Sequence, residues 1–448
     1  MKRIAIALLI PLWIQQTFGQ VVKGNLQQHK HQPISLTGFD YYKSYELGKT
    51  TIDSLGNFTL PYPKQYAGVA ILKIDRSSTL LILNKKHIEL AGTHLMDYDS
   101  LNYKNSFQNR MFLKIAKANA LNDQAYAGLR YLTKIYTNAH FKKQHKTLVN
   151  INEEIKRIEQ SNLLETYAIA KESYLFWYAP LRKLISDMPQ TFRNYTERIP
   201  ADIAQFRKID FTHPNFKTSG LFRELLEGHY FMLENMGQPL DSIYVQMNLS
   251  TDYLIEKLKQ NDSLLNTTSK ELFKLFEKRS LFRAAAHLSS KLLDSTNCRC
   301  VIEQDLQKKM QKYVLLKVGN TAPDIKLTAS KKLSDLKQNV LLVFGSSHCK
   351  ACKEEAVQLL QYYTLWKDNN TPIEVVYISL DTDKKTFNTA FKNAPWQSYC
   401  NFQGWNMQAV KEYHVYATPS YFLLDKELKI LVHPKSIAHV NAWIQGKI

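Results

Sequence analysis

Residues 340–352 of this 448-residue chain read VLLVFGSSHCKAC. The apolar run at positions 340–344 predicts a buried strand, which the following glycine ends. Cys349 and Cys352 come next with two residues between them, and the segment from there to about Trp366 is predicted to be helical. Cysteines three residues apart in a first helical turn lie close enough for their sulfur atoms to form a disulfide.

The place of this cysteine pair predicts redox chemistry. Cys349 lies near the helix N-terminus, where the positive end of the helix dipole favours thiolate over thiol. His348, Lys350 and Lys353 add positive charge to the same region. We therefore expect Cys349 to be the nucleophile and Cys352 to be the resolving thiol that releases a mixed disulfide.

Two other interpretations of the pair stay open. A zinc site needs a second pair of ligands, but Cys298 and Cys300 are separated by a single residue, whereas zinc pairs usually have about two to four between them. An inert structural disulfide is the other interpretation. Cys298 and Cys300 themselves could form a strained disulfide, relay electrons to the C-x-x-C pair, pair one member with Cys400, or bind a metal.

Strands and helices alternate through residues 317–448. Beyond the first strand and helix, the pattern predicts strands at 373–380, 421–424 and 429–432, helices near 387–392 and 407–413, and a last helix at the C-terminus. This β-α-β-α-β-β-α order predicts an α/β fold in which helices flank a sheet.

Residues 317–448 resemble the exported thiol-disulfide oxidoreductases of the TlpA/ResA type, which have the thioredoxin fold. The segment 319–324 with Leu327 is similar to the family's G-x-x-A-P-x-F-x-L entry, and 416–425 is similar to its v-x-x-T-P-T-x-F-L-I-D strand. The apolar strand that leads into the cysteine pair is the third point of resemblance. Together the three motifs are far more specific than a C-x-x-C alone.

The resemblance implies further site residues. Pro419 matches the cis-proline that faces the active-site disulfide, and Thr418 matches the residue that presents its backbone to the substrate. Glu355 matches an acidic position that assists proton transfer at the buried thiol in the ResA branch, with an ordinary solvated helix glutamate as the alternative. No glycine-rich phosphate loop or C-x-x-C-H haem site is present, so we expect no cofactor and no metal.

Three departures from the family pattern leave the direction of electron flow open. His348 stands where the family usually has tryptophan, and Lys350-Ala351 replaces a dipeptide that normally contains proline. Val343 occupies the position of the buried aspartate that accepts a proton in thioredoxin itself. Residues at these positions tune the reduction potential over a wide range.

The rest of the chain divides into two regions. Short β-rich runs separated by turns predict a small antiparallel all-β sandwich or barrel over 20–100, where 52–58 resembles the core of a β-rich module of unknown function found ahead of TlpA-like domains. Apolar residues at helical spacing predict a mostly helical domain over 101–316. Within it, Thr268 and Glu271 match a capping box that opens a helix.

The N-terminus predicts export. Residues 1–19 combine a basic start, a short apolar stretch and a small residue near the end, as secretory signal peptides do. No cysteine precedes Cys298, so we expect a periplasmic chain without a lipid anchor, starting near Gln20. Lys and Arg outnumber Asp and Glu by 59 to 40, but they are spread along the chain and form no nucleic-acid motif.

These features predict an enzyme, a periplasmic protein-disulfide reductase acting through Cys349 and Cys352. Its expected partners are exported proteins that contain disulfides and a membrane thiol donor, with no nucleic acid and no membrane-spanning segment in the mature chain. The main alternative is a non-catalytic binding or scaffold protein that carries a thioredoxin-fold module. A thiol peroxidase or a copper chaperone of the Sco type fits the motifs less well.

Overall fold

A computed structural model describes residues 20–84, 86–138, 140–141, 145–294 and 300–446. The predicted signal peptide, Cys298 and Arg299 therefore lie outside the described residues. The chain forms two compact units. Unit 1 is the described part of Met1–Ala204 with Thr212–Met232, and unit 2 is that of Gln205–Phe211 with Leu233–Ile448.

Unit 1 begins with a β-sandwich. Its strands are β1 Gln20–Leu26, β2 Pro33–Asp40, β3 Lys43–Thr51, β4 Asn57–Tyr62, β5 Ala67–Ile74, β6 Ser77–Asn84, β7 Ile88–Gly92 and β8 Asn102–Tyr103. They form two four-stranded sheets, of order β4-β1-β7-β8 and β3-β2-β5-β6, which enclose one apolar core. The all-β prediction is confirmed, but the sandwich is not antiparallel throughout, because β1 pairs with β7 in parallel.

Helices follow the sandwich. They are α1 Phe107–Tyr136, α2 His145–Glu159, α3 Leu163–Thr166, α4 Tyr174–Asn194, α5 Ile199–Phe206 and α6 Leu221–Glu234. The first of these is fixed to the sandwich by Asn109, whose side-chain amide hydrogen-bonds both the N–H and the C=O of Ile82 on the edge strand β6. The Asn109 side chain thus satisfies backbone groups of the edge strand that a neighbouring strand would otherwise pair with.

Before its sheet, unit 2 contains the helices α7 Leu240–Leu258, α8 Asp262–Lys278, α9 Phe282–Leu293 and α10 Gln304–Leu315. Leu306 and Met310 are buried on one face of α10, as their spacing predicts. The predicted capping box is wrong, because Thr268 lies buried in the middle of α8. Asn261 caps this helix instead, and its side chain accepts a hydrogen bond from the N–H of Leu264.

The C-terminal part of unit 2 is a five-stranded sheet of order β11-β10-β9-β12-β13. Its strands are β9 Asn339–Gly345, β10 Ile373–Ser379, β11 Gln397–Tyr399, β12 Ser420–Leu424 and β13 Ile430–Val432, and its helices are α11 Lys350–Asp368, α12 Lys384–Phe391, α13 Gln408–Glu412 and α14 Ile437–Ile444. Strands β9, β10 and β11 are parallel, and β12 runs antiparallel to both of its neighbours, β9 and β13.

Apolar cores lie on both faces of this sheet, so its central strands are buried on both sides. The strand β9 occupies the middle, and its carboxyl end leads through four residues into α11. The fold class is confirmed as an all-β region, a helical region and a C-terminal α/β domain. Within the described ranges, no helix has both the length and the apolar character that crossing a bilayer requires.

Candidate functional site

The cysteine pair forms a disulfide at the start of α11. Cys349 is the N-cap residue of this helix, Cys352 lies in its first turn, and their Cα atoms are 5.2 Å apart. The N–H of Cys352 donates a hydrogen bond to Cys349 Sγ over 3.1 Å. This donor is one of the free N–H groups of a helix N-terminus, so a thiolate at Cys349 would be stabilised in the same position.

The two cysteines differ in exposure. Cys352 is buried, with 3% of its surface exposed, whereas Cys349 is partly exposed. An incoming disulfide can therefore reach Cys349 first, while Cys352 can reach only its neighbour. This difference fits the roles predicted for the two residues, which stay predictions.

Thr418 and Pro419 lie beside the disulfide. The peptide bond between them is cis, and the carbonyl oxygen of Thr418 is 3.4 Å from Cys349 Sγ. Strand β12 begins directly afterwards, at Ser420. The structure thus brings four of the five predicted site residues together around one sulfur atom.

Glu355 lies one turn further along α11 and is half-buried. Its Oε2 accepts hydrogen bonds from the Tyr421 hydroxyl, over 3.0 Å, and from the N–H of Ile437, over 2.7 Å. These contacts connect α11 with β12 and with the first turn of α14. They account for Glu355 structurally, and its role in proton transfer stays a prediction.

A buried carboxylate, Asp381, is the site feature that sequence reasoning missed. It lies just after β10, its side chain is 1% exposed, and it accepts hydrogen bonds from Ser346 and Ser347 on the loop that precedes Cys349. One signal for it was available, because the two strands predicted at 340–344 and 373–380 are each followed by polar residues. The carboxyl ends of neighbouring parallel strands lie at the same edge of a sheet.

The remaining cysteines do not join the pair. Cys300 takes part in a disulfide, whereas Cys400 is a free thiol, so the interpretation that pairs one member of Cys298 and Cys300 with Cys400 is wrong. Cys400 donates a hydrogen bond to the carbonyl oxygen of Asp381 over 3.2 Å, and burial raises the pKa of its thiol. The described residues contain no cluster of three or more His, Cys, Asp and Glu side chains that could hold a metal ion.

Residues 337–430 match a family model described as thioredoxin-like. "Probable nucleoredoxin 1" from Arabidopsis thaliana is 32% identical over 85 residues, which cover 19% of this chain and 13% of that protein. The match therefore concerns a small part of that relative. The length of the match, 85 residues, lies within the size range of a single domain.

Solved structures are also similar to parts of this chain. A thiol-disulfide oxidoreductase from Bacteroides fragilis is 25% identical, with 29% of this chain and 100% of that chain covered and a TM-score of 0.26. A thioredoxin-like protein from Bacteroides caccae is 14% identical, with 56% and 94% covered and a TM-score of 0.36. The C-terminal α/β domain is thioredoxin-like by its family match and its sheet.

Proposed function

We propose that this protein is an exported thiol-disulfide oxidoreductase that reduces disulfides in other exported proteins. The observation that carries the proposal is the Cys349–Cys352 disulfide at the N-terminus of α11, with one sulfur accessible and the other buried. The thioredoxin-like family match over 337–430 supports the same chemistry. The TlpA/ResA-type motifs and the signal-peptide pattern of residues 1–19 support export to the periplasm.

The reaction uses the pair in its reduced form. The thiolate of Cys349 attacks one sulfur of a substrate disulfide, forms a mixed disulfide, and displaces the other substrate sulfur as a thiolate that takes up a proton. The thiolate of Cys352 then attacks Cys349 Sγ, which closes the enzyme disulfide and releases the second substrate thiol. Two electrons pass from the enzyme to the substrate, and a thiol donor at the membrane then reduces the Cys349–Cys352 disulfide with two further electrons.

Charge stabilisation at Cys349 favours the first step, because it increases the thiolate fraction. The N–H of Cys352 and the end of the α11 dipole favour the Cys349 thiolate, and the positive side chains of Lys350 and Lys353 are close in sequence. The thiolate is the nucleophilic form, so a lower pKa increases its fraction at neutral pH. The carbonyl of Thr418 lies against the same sulfur, where an extended substrate segment would pair with the backbone.

A trapping experiment tests the proposal. In the C352S variant, the mixed disulfide that forms on Cys349 cannot be resolved, so we expect covalent complexes with exported proteins that dithiothreitol releases. The C349S variant is the matched control, because it keeps one cysteine of the pair and lacks the accessible nucleophile. Equal yields of complexes from both variants, or none from either, would leave the non-catalytic binding protein as the better description.

A further inference from the structure

Asp381 and three serine hydroxyls form a buried cluster beside the cysteine pair. Oδ1 of Asp381 accepts from Ser346 Oγ and Ser347 Oγ, each over 2.8 Å, and from the N–H of Ser347 over 3.0 Å. Oδ2 accepts from Ser379 Oγ over 2.8 Å. Among the described residues, no lysine, arginine or histidine is paired with this carboxylate, so hydroxyl and amide donors alone satisfy it.

The cluster keeps its carboxylate charged. Burial raises the pKa of Asp381, but the hydrogen bonds from Ser346, Ser379 and Ser347 together hold it below its usual value. An ionised carboxylate accepts hydrogen bonds from all of these donors at once, and such charge-assisted bonds are stronger than neutral ones. The serine side chains are therefore fixed in one orientation.

From the cluster, hydrogen bonds run to the residue before Cys349. The hydroxyl of Ser346 donates to Asp381 and accepts from the N–H of His348 over 3.2 Å. The carbonyl of Ser346 accepts from the N–H of Cys349 over 3.2 Å. Every residue between the end of β9 and Cys349 is thus held, directly or through one serine, by the carboxylate at the end of β10.

We propose that Asp381 is a positioning residue for the nucleophile, fixing the loop 346–348 so that Cys349 Sγ stays at the N-terminus of α11. The inference rests on the proposed function, since a nucleophile needs such placement. Its physical basis is that the thiolate of Cys349 is stabilised only while Sγ lies near the N–H of Cys352. A loop released from Asp381 samples other positions, and the thiolate then loses that donor.

Charge alone predicts the opposite effect, which makes the proposal testable. Removing a nearby anion lowers a thiol pKa, whereas releasing the loop raises it. The elements that meet at Cys349 carry several titratable side chains. On α11 and its leading loop these are His348, Lys350, Cys352, Lys353, Glu354 and Glu355; on the loop after β10 they are Asp381 and Asp383; on the loop before β12 they are His414 and Tyr416, and the Thr418 carbonyl of that loop contacts Cys349 Sγ.

The chain offers a matched control for charge in Asp383. This exposed residue is the N-cap of α12, where its Oδ2 accepts from the N–H of Thr386 over 2.7 Å. Asp383 lies two residues after Asp381, and hydrogen bonds from Thr386 lower its pKa. Asn caps helices as well as Asp does, and D383N therefore removes one charge without releasing the serines.

The experiment measures the pH dependence of Cys349 alkylation in the reduced full-length protein. Brief iodoacetamide pulses are followed by mass spectrometry of the peptide that contains Cys349. We expect D381N and the double variant S346A/S347A each to raise the alkylation midpoint by about one pH unit, which is about a tenfold slower reaction at pH 7. D383N should leave the midpoint unchanged or lower it.

The alkylation midpoints of these variants decide whether Asp381 positions Cys349. An unchanged midpoint in folded D381N, or a downward shift like that of D383N, would overturn the positioning role. Should D381N fail to fold, S346A/S347A decides alone, and an unchanged profile in that variant overturns the proposal as well. The trapping experiment tests the proposed function separately, because alkylation of Cys349 is measured without any substrate disulfide.

Discussion

At the scale of single residues, the candidate site depends on two cysteines that are close in sequence and on one carboxylate, Asp381, that is far from them in sequence. Cys349 and Cys352 lie in one contiguous strand-to-helix pattern, so their chemistry follows from neighbours along the chain. Asp381 reaches Ser346 across 35 positions, and no local pattern joins residues so far apart. The position that holds a buried aspartate in thioredoxin is Val343 here, and the buried acid of this domain, Asp381, follows a different strand.

The buried His414 and the partly buried His433 predict acid lability. Burial, together with the charges of nearby Lys312 and Lys309, lowers the pKa of His414 to about 4. Burial also lowers the pKa of His433 to about 4, even though its Nε2–H donates a hydrogen bond to the Leu316 carbonyl, which by itself raises that pKa. Below about pH 6.5 an unfolded histidine binds a proton that the folded one does not, so the free energy of unfolding falls as pH drops toward 4. The limiting slope is about 1.4 kcal/mol per pH unit for each histidine.

Urea unfolding at pH 7, 6 and 5 measures this dependence. The double variant H414Q/H433Q should show a shallower loss of unit 2 stability over that range, whereas H145Q, at an exposed position, should match the wild type. Identical slopes in the double variant and the wild type would show that neither histidine causes acid lability.

At the scale of elements, sequence patterns predicted where strands and helices occur, but they predicted less well where a helix starts and which strands pair. The period of apolar residues identified α10, but the S/T-x-x-E pattern misplaced the start of α8, because a threonine inside a helix can match it by chance. The parallel pairing of β1 with β7 joins Val22 to Ile88. Pairings of that sequence separation depend on the packing of the whole sandwich.

The attachment of α1 to β6 should depend on Asn109, whose side chain is 1% exposed. In N109A, the N–H and C=O of Ile82 both lose a partner, and we expect unit 1 to be destabilised by roughly 2–4 kcal/mol. N109D keeps the acceptor for the N–H of Ile82 but buries an unpaired carboxylate oxygen against its C=O, so its loss should be at least as large as that of N109A. Thermal unfolding checks this order, and equal stability of N109A and the wild type would contradict it.

The junction between β9 and the loop 346–348 has no room for a larger residue than glycine. A Cβ atom on Gly345 would overlap the hydroxyl of Tyr377, a buried residue of the neighbouring strand. We expect G345A to destabilise unit 2 by about 1–3 kcal/mol.

The matched control is G128A in α1. A Cβ there meets nothing, and replacing a glycine in an exposed helix interior should stabilise unit 1 by about 0.5–1 kcal/mol. Unfolding curves of the two variants should shift in opposite directions. A stabilising G345A would show that Tyr377 moves aside without cost.

At the scale of the whole molecule, the two compact units predict separate unfolding. Each unit has buried apolar residues of its own, and chains of several domains commonly unfold in more than one step. Calorimetry of the wild type should therefore show two transitions. N109A should lower one of them and G345A the other, and a single transition lowered by both variants would mean that the units unfold together.

The central claim is that Cys349 and Cys352 form the redox-active pair of an oxidoreductase. The most direct test is a redox titration of the full protein in which thiols are trapped by alkylation and every cysteine is measured by mass spectrometry. We predict one reversible two-electron couple confined to Cys349 and Cys352, with a midpoint near or below about −250 mV for a reductase, far from the roughly −120 mV of a strong oxidant. A pair that stays oxidised throughout, or that never forms a disulfide, would contradict the claim.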